Sequence, residues 1–201
     1  FGSGIDTSGA SSFILNNSTV TGNTNSPAIS ASGPLVYMEI NNSTITNNAK
    51  AGISSYNARL VIKNSILANN APDCQGAITS QGYNLIGVID GCAHSIITGD
   101  LIGTSTNPMS PGLASLQDNG GPTLTYALMA GSPAIDAGNP VGNDDACLAT
   151  DQRGISRPVG KACDIGAFEG QVPAIHINIT GNAGIPGATA ARRFRPGGSR
   201  C

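Results

Sequence analysis

The residues of this chain that could do ionic or acid–base chemistry are few, and they crowd into one stretch. Asp151, Arg153, Arg157, Lys161, Asp164 and Glu169 all lie in "CLATDQRGISRPVGKACDIGAFE", residues 147–169. Carboxylates beside guanidinium groups are the raw material of polysaccharide cleavage. Hydrolysis takes two carboxylates roughly 5–10 Å apart. Lyase chemistry takes a base, with cations or Ca²⁺ to hold the substrate's own carboxylate. The same residue types also build ion-pair networks that satisfy the backbone groups of an irregular segment. That structural reading is the favoured one here.

Other chemistry has less to work with. Across residues 13–70 the only acid is Glu39 and the only bases are Lys50, Arg59 and Lys63, so no pair of carboxylates is available there. Asp144 and Asp145, with Asn143 beside them and Asp136 nearby, offer hard oxygen ligands for Ca²⁺. Their spacing matches no complete binding loop, and a solvated acidic loop is the plainer reading. There is no C-x-x-C, and His94 and His176 are far apart, which argues against zinc. Of the five cysteines, Cys74 and Cys92 flank one loop, Cys147 and Cys163 flank another, and Cys201 is left over. Two loop-closing disulfides in an oxidising compartment fit this better than free buried thiols. Residues 1–191 carry 6 basic and 12 acidic groups, a net of −6, which does not suggest a nucleic-acid partner.

The elements that must position these residues are short strands. The chain has 27 Gly and 19 Asn but only two Glu and three Lys, and no window shows helical periodicity. "NNSTVTGN" (16–23), "NNSTITNN" (41–48) and "KNSILANN" (63–70) are near copies, at spacings of 25 and 22. A small residue followed by Ile recurs at Gly4-Ile5, Ala28-Ile29, Gly52-Ile53 and Ala77-Ile78. A period in this range with β composition means a solenoid of about three short strands per turn. Leu15, Ile40 and Ile62 form one apolar column; Val20, Ile45 and Leu67 form another. These columns lie five residues apart, too far to share one face of a straight strand, so the chain bends between them. The recurring Asn17, Asn42 and Asn64 fall in that gap. Asn tolerates left-handed backbone angles, and stacked coils would place these three in a side-chain ladder. Asn17-Ser18-Thr19 and Asn42-Ser43-Thr44 also read as glycosylation acceptors, but the corner role explains them more simply.

"SPAIDAGN" (132–139) followed by "DQRGISRPVGKACDIGAFE" (151–169) resembles the C-terminal signature of bacterial surface proteins with a choice-of-anchor Q domain. The "NNSTVTGN" coils and "GYNLIG" (82–87) are similar to the right-handed parallel β-helix of those proteins, also seen in polymorphic outer-membrane proteins and the pectin-lyase-like superfamily. The resemblance covers about residues 1–170. It implies secretion or surface display, a β-helical stalk and no established enzymatic activity. "INITGNAGIPGA" (177–188) looks like the opening of an immunoglobulin-like repeat.

The expectation is therefore an all-β chain: a right-handed parallel β-helix of about 22–25 residues per coil with an irregular, disulfide-stapled C-terminal cap. Residues 1–92 are its N-terminally truncated coils, 93–170 irregular coils and the cap motif, and 171–201 a linker with an incomplete or disordered tail. The expected role is a non-catalytic, adhesin-like part of a secreted or cell-surface protein, a monomer with no membrane span here, contacting glycans or other surface proteins. No catalytic or cofactor-binding residue is assigned. The alternative is the remnant of a polysaccharide lyase or hydrolase whose active coils lie upstream.

Overall fold

A computed structural model describes residues 4–9, 11–95, 97–140 and 147–170. Three short strands make one winding. The first consists of β1 (Ile5–Ser8), β2 (Ser12–Asn16) and β3 (Thr19–Val20). The second consists of β4 (Ile29–Ser32), β5 (Tyr37–Asn41) and β6 (Thr44–Thr46), and the third of β7 (Ile53–Tyr56), β8 (Arg59–Lys63) and β9 (Ile66–Ala68). In the fourth, β10 (Cys74–Ser80) serves two faces by itself, pairing with β7 at its start and with β8 at its end. β11 (Leu85–Ile86) completes that winding, and β12 (Cys92–Ser95) and β13 (Leu101–Ile102) begin a fifth. Every one of these ladders is parallel, and they stack into three faces: a first sheet of β1, β4, β7 and the start of β10, a second of β2, β5, β8 and the end of β10, and a third of β3, β6, β9, β11 and β13. The chain is an all-β parallel solenoid of about four turns, with no helix among the described residues.

Like stacks on like. Leu15, Ile40 and Ile62 are register partners, as are Val20, Ile45 and Leu67, and Ile5, Ile29 and Ile53. Ile29, Met38, Ile40, Ile45, Ile53, Leu60 and Ile62 are all fully buried in the one core these windings enclose. No single coil can bury such a column; its neighbours do so. The Ala77-Ile78 pair is not the fourth member of the Ile5 column. Ile53 pairs with Cys74, and Ile78 lies further along β10, beside His94. The fourth winding reaches its first face early because the third winding is short: 9 positions separate Ile53 from Ile62, where 11 separate Ile29 from Ile40.

After β13 the chain leaves the coil. β14 (Leu113–Gln117) and β15 (Thr125–Leu128) form an antiparallel hairpin. The irregular segment stapled by Cys147–Cys163 then runs back along the flank of the solenoid, over the outward side of the third sheet. Ala134 and Ile165 pack there on Ile66, Ala68 and Leu85, with Met109, Leu113 and Leu128 around them. The third sheet is thus buried on both sides through its second, third and fourth coils, and in the third and fourth its strands read as unbroken apolar runs, Ile66-Leu67-Ala68 and Leu85-Ile86. Gly166, at φ 102°, lets the segment lie directly on Ile66 and Thr44; a Cβ there would sit 2.8 Å from both.

Candidate functional site

The corner asparagines do what their backbone freedom allows. Asn17, Asn42 and Asn64 have φ of 45°, 43° and 48°, and Tyr83 takes the same place in the fourth coil at 56°. A second corner closes each octet, at Gly22, Asn47 and Asn69. The Asn17, Asn42 and Asn64 side chains do not bond to one another. Asn42 Oδ1 accepts the backbone N–H of Leu148 at 3.2 Å, and Asn64 Oδ1 accepts that of Asn139 at 2.8 Å. The column ties the flank segment to the coils, while the Nδ2 atoms of Asn42 and Asn64 stay buried without partners. Asn42 is fully buried, so its sequon is out of reach of modification in the folded chain.

The amide ladder runs through the last residue of each octet instead. Asn23 Nδ2 donates to Asn48 Oδ1 at 2.9 Å, and Asn48 Nδ2 to Asn70 Oδ1 at 2.8 Å. Asn70 Nδ2 then donates to Asp73 Oδ1 at 3.0 Å. Beside it runs a second file: the N–H of Ser18 donates to Ser43 Oγ, that of Ser43 to Ser65 Oγ, that of Ser65 to Asn84 Oδ1, and that of Asn84 to Asp100 Oδ1. Both files end on an aspartate. Burial pushes the Asp73 carboxyl up, against the N–H groups of Asn70 and Val88 that pull it down. The octet's final Asn recurs at the same spacing as the corner Asn, so the signal for this ladder was in the sequence and lay six residues away.

Apart from Lys161, which is exposed, the charged stretch forms one buried network. Arg153 pairs with Asp151 at 2.7 Å and lies over the Phe168 ring at 3.6 Å. Arg157 pairs with Glu169 at 2.9 Å, both side chains 1% exposed, and donates to the carbonyls of Asp164 and Gly166. The carboxylates accept backbone N–H groups: Arg153, Ile155 and Glu169 on Asp151, Asp136 and Gly170 on Asp164, Val159 and Asp164 on Glu169. Burial lowers the Arg157 pKa and raises that of Asp164. Burial also pushes Asp151 upward, yet its N–H donors and Arg153 together hold it below the usual range.

The remaining candidates stay apart. Glu39 stands on the outward side of the second sheet, accepting from Tyr37 Oη at 3.0 Å and Asn41 Nδ2 at 2.9 Å. The hydrogen bond to Glu39 raises the Tyr37 pKa. Asp144 and Asp145 lie outside the described residues, as do His176, Cys201 and residues 171–201. Asp136 Oδ1 accepts the N–H of Lys161 and Ala162, and among the described residues no group of three His, Cys, Asp or Glu is placed to hold a metal. Cys74 pairs with Cys92 and Cys147 with Cys163, at Cα separations of 5.6 and 6.5 Å.

One groove, of about 450 Å³, lies where the flank cover thins over the first coil. Its walls are Asn17, Ser18, Thr19 and Thr21 on one side and Leu116, Thr123, Leu124 and Gln152 on the other. Most of its polar groups are already engaged. Ser18 Oγ donates to Asn16 O, Thr19 Oγ1 donates to Gln152 Oε1, and Gln152 Nε2 donates to Thr123 Oγ1. Thr21 Oγ1 and Tyr126 Oη share a hydrogen bond. Comparison with protein-family models, curated proteins and solved structures finds no match to this chain.

Proposed function

We propose that this chain is a non-catalytic structural part of a secreted or cell-surface bacterial protein, a rigid solenoid stalk of the choice-of-anchor Q kind. The observation that carries this reading is where the carboxylates are. Asp73 and Asp100 end the internal ladders, and Asp151, Asp164 and Glu169 hold the flank segment together. Glu39 stands outward on the second sheet with Val61 as its register neighbour, and Asp6 on the first sheet with Ser30. Neither register neighbour is a second acid that would complete a hydrolytic pair. Two disulfides accord with an oxidising, extracellular setting. Hydroxyl and amide groups on the outer faces suit contact with glycans or neighbouring surface proteins.

The test is a panel of acidic and neutral polysaccharides incubated with the whole chain. No turnover is expected. Cleavage that disappears in Glu39→Gln would overturn the scaffold reading and restore that of an enzyme remnant.

A further inference from the structure

Asn17 closes the first coil's corner as Asn42 and Asn64 close the next two, with nearly the same φ. In those two coils the side-chain oxygen takes a backbone N–H from the flank segment. In the first coil the equivalent oxygen is buried and has no partner, and Asn17 lines the groove. The groove's lining carries no charge, so an ionic ligand would meet no counter-ion there. Its hydroxyl protons are largely committed, that of Ser18 to Asn16 O and that of Thr19 to Gln152 Oε1, so a sugar would find few donors for its own oxygens. What sets the groove apart is one buried acceptor with no partner at all, Asn17 Oδ1, beside two apolar side chains, Leu116 at 37% and Leu124 at 51% exposed.

We propose that this groove binds an extended, uncharged peptide segment whose backbone N–H bonds to Asn17 Oδ1 and whose apolar side chain lies on Leu116 and Leu124. The molecule supplies its own precedent, since main chain fills the same column in the second and third coils. The oxygen is shielded from water, so the peptide enters by displacing the side chains over it. The site does not depend on the scaffold reading, because a catalytic solenoid would present it equally.

The probe is acetyl-Ala-Leu-Ala-Thr-amide, which copies residues 147–150 with alanine for Cys147, titrated into the isotopically labelled whole chain. Saturable amide shifts are expected at Asn17, Thr19, Leu116 and Leu124. Methylating the probe's leucine nitrogen should weaken binding about five-fold or more, the worth of one hydrogen bond. Asn17→Gly keeps the left-handed corner, so it should retain the fold and lose affinity to the same degree. The proposal is overturned if the unmodified probe produces no saturable shift. It is overturned equally if the methylated probe binds as well, if Asn17→Gly binds as well, or if N,N′-diacetylchitobiose shifts these residues and the peptide does not.

Discussion

Asn70 gives both its backbone N–H and its side-chain amide to one oxygen of Asp73, at 2.8 and 3.0 Å, while the other oxygen takes the N–H of Val88 at 2.7 Å. An amide in a stack accepts from one neighbour and must donate to the next. The stack closes only on a group that accepts and has nothing left to donate, which a carboxylate is. Asp73→Asn removes a buried charge yet turns an NH₂ toward an N–H, whichever way the new amide faces. A loss of about 1–3 kcal/mol is expected in urea unfolding. A variant as stable as the parent would show that the stack needs no acceptor at its end.

Acidity should act on two carboxylates in opposite senses. Asp73 is raised by burial, so its contribution is full at low pH and is lost as pH rises through its folded value. Asp151 is lowered, so its contribution is present above the ordinary aspartate range and is lost as pH falls through its folded value. Unfolding free energies measured between about pH 3 and pH 7 should show it. Asp151→Asn should flatten the acid limb, and Asp73→Asn should remove a decline toward neutral pH. Parallel curves for both variants would contradict these assignments.

Asn64 serves two purposes that substitution can separate. Asn64→Ala loses the acceptor for the Asn139 N–H and forces alanine into the left-handed region, at a combined cost of about 2–4 kcal/mol. Asn64→Gly loses only the acceptor and should be less damaging by about 1 kcal/mol. Equal unfolding midpoints for the two would mean that the backbone angle contributes nothing.

Arg157 is the riskiest position to truncate. Arg157→Met leaves Glu169 charged and buried without its partner, which should cost about 3–5 kcal/mol. Limited proteolysis should then cut first in the flank segment. A change under about 1 kcal/mol would mean that Glu169 is content with its two N–H donors.

Cys74 and Cys92 are 18 residues apart and join the start of the fourth winding to the fifth. Replacing both with alanine should lower stability by about 3 kcal/mol in the chain-entropy model. An unchanged unfolding midpoint would show that the strand ladder alone fixes that loop.

The coils were legible because their grammar is local. A left-handed Asn every 22 or 25 residues and an aliphatic column on either side of it need no distant partner to be recognised, and the register came out as Leu15–Ile40–Ile62 and Val20–Ile45–Leu67. Ala77-Ile78 misled because it copies the motif out of phase: Cys74, four positions before Ile78, already stands on Ile53. The path of the C-terminal segment depends on contacts between residues over a hundred positions apart, such as Thr44 with Ala167, which no periodicity reveals. A clue did exist. The outward residues of the third sheet change from Thr19, Thr21, Thr44 and Thr46 to Ile66, Ala68 and Leu85 along the chain, which marks where the cover turns from hydrogen-bonded to apolar. The groove was not legible at all, since Gln152 and Leu116 meet Asn17 only through that cover.

A bare stack of coils can fray winding by winding from either end, since each touches only its neighbours. Here one late segment grips Asn64, Asn42, Thr44 and Thr19 in turn, across sequence separations of 75 to 133 residues. The first three windings cannot peel away singly while that grip holds. The molecule should come apart all at once, like a sprung coil held by a lengthwise batten, and pulling along its axis should give one rupture in place of a staircase.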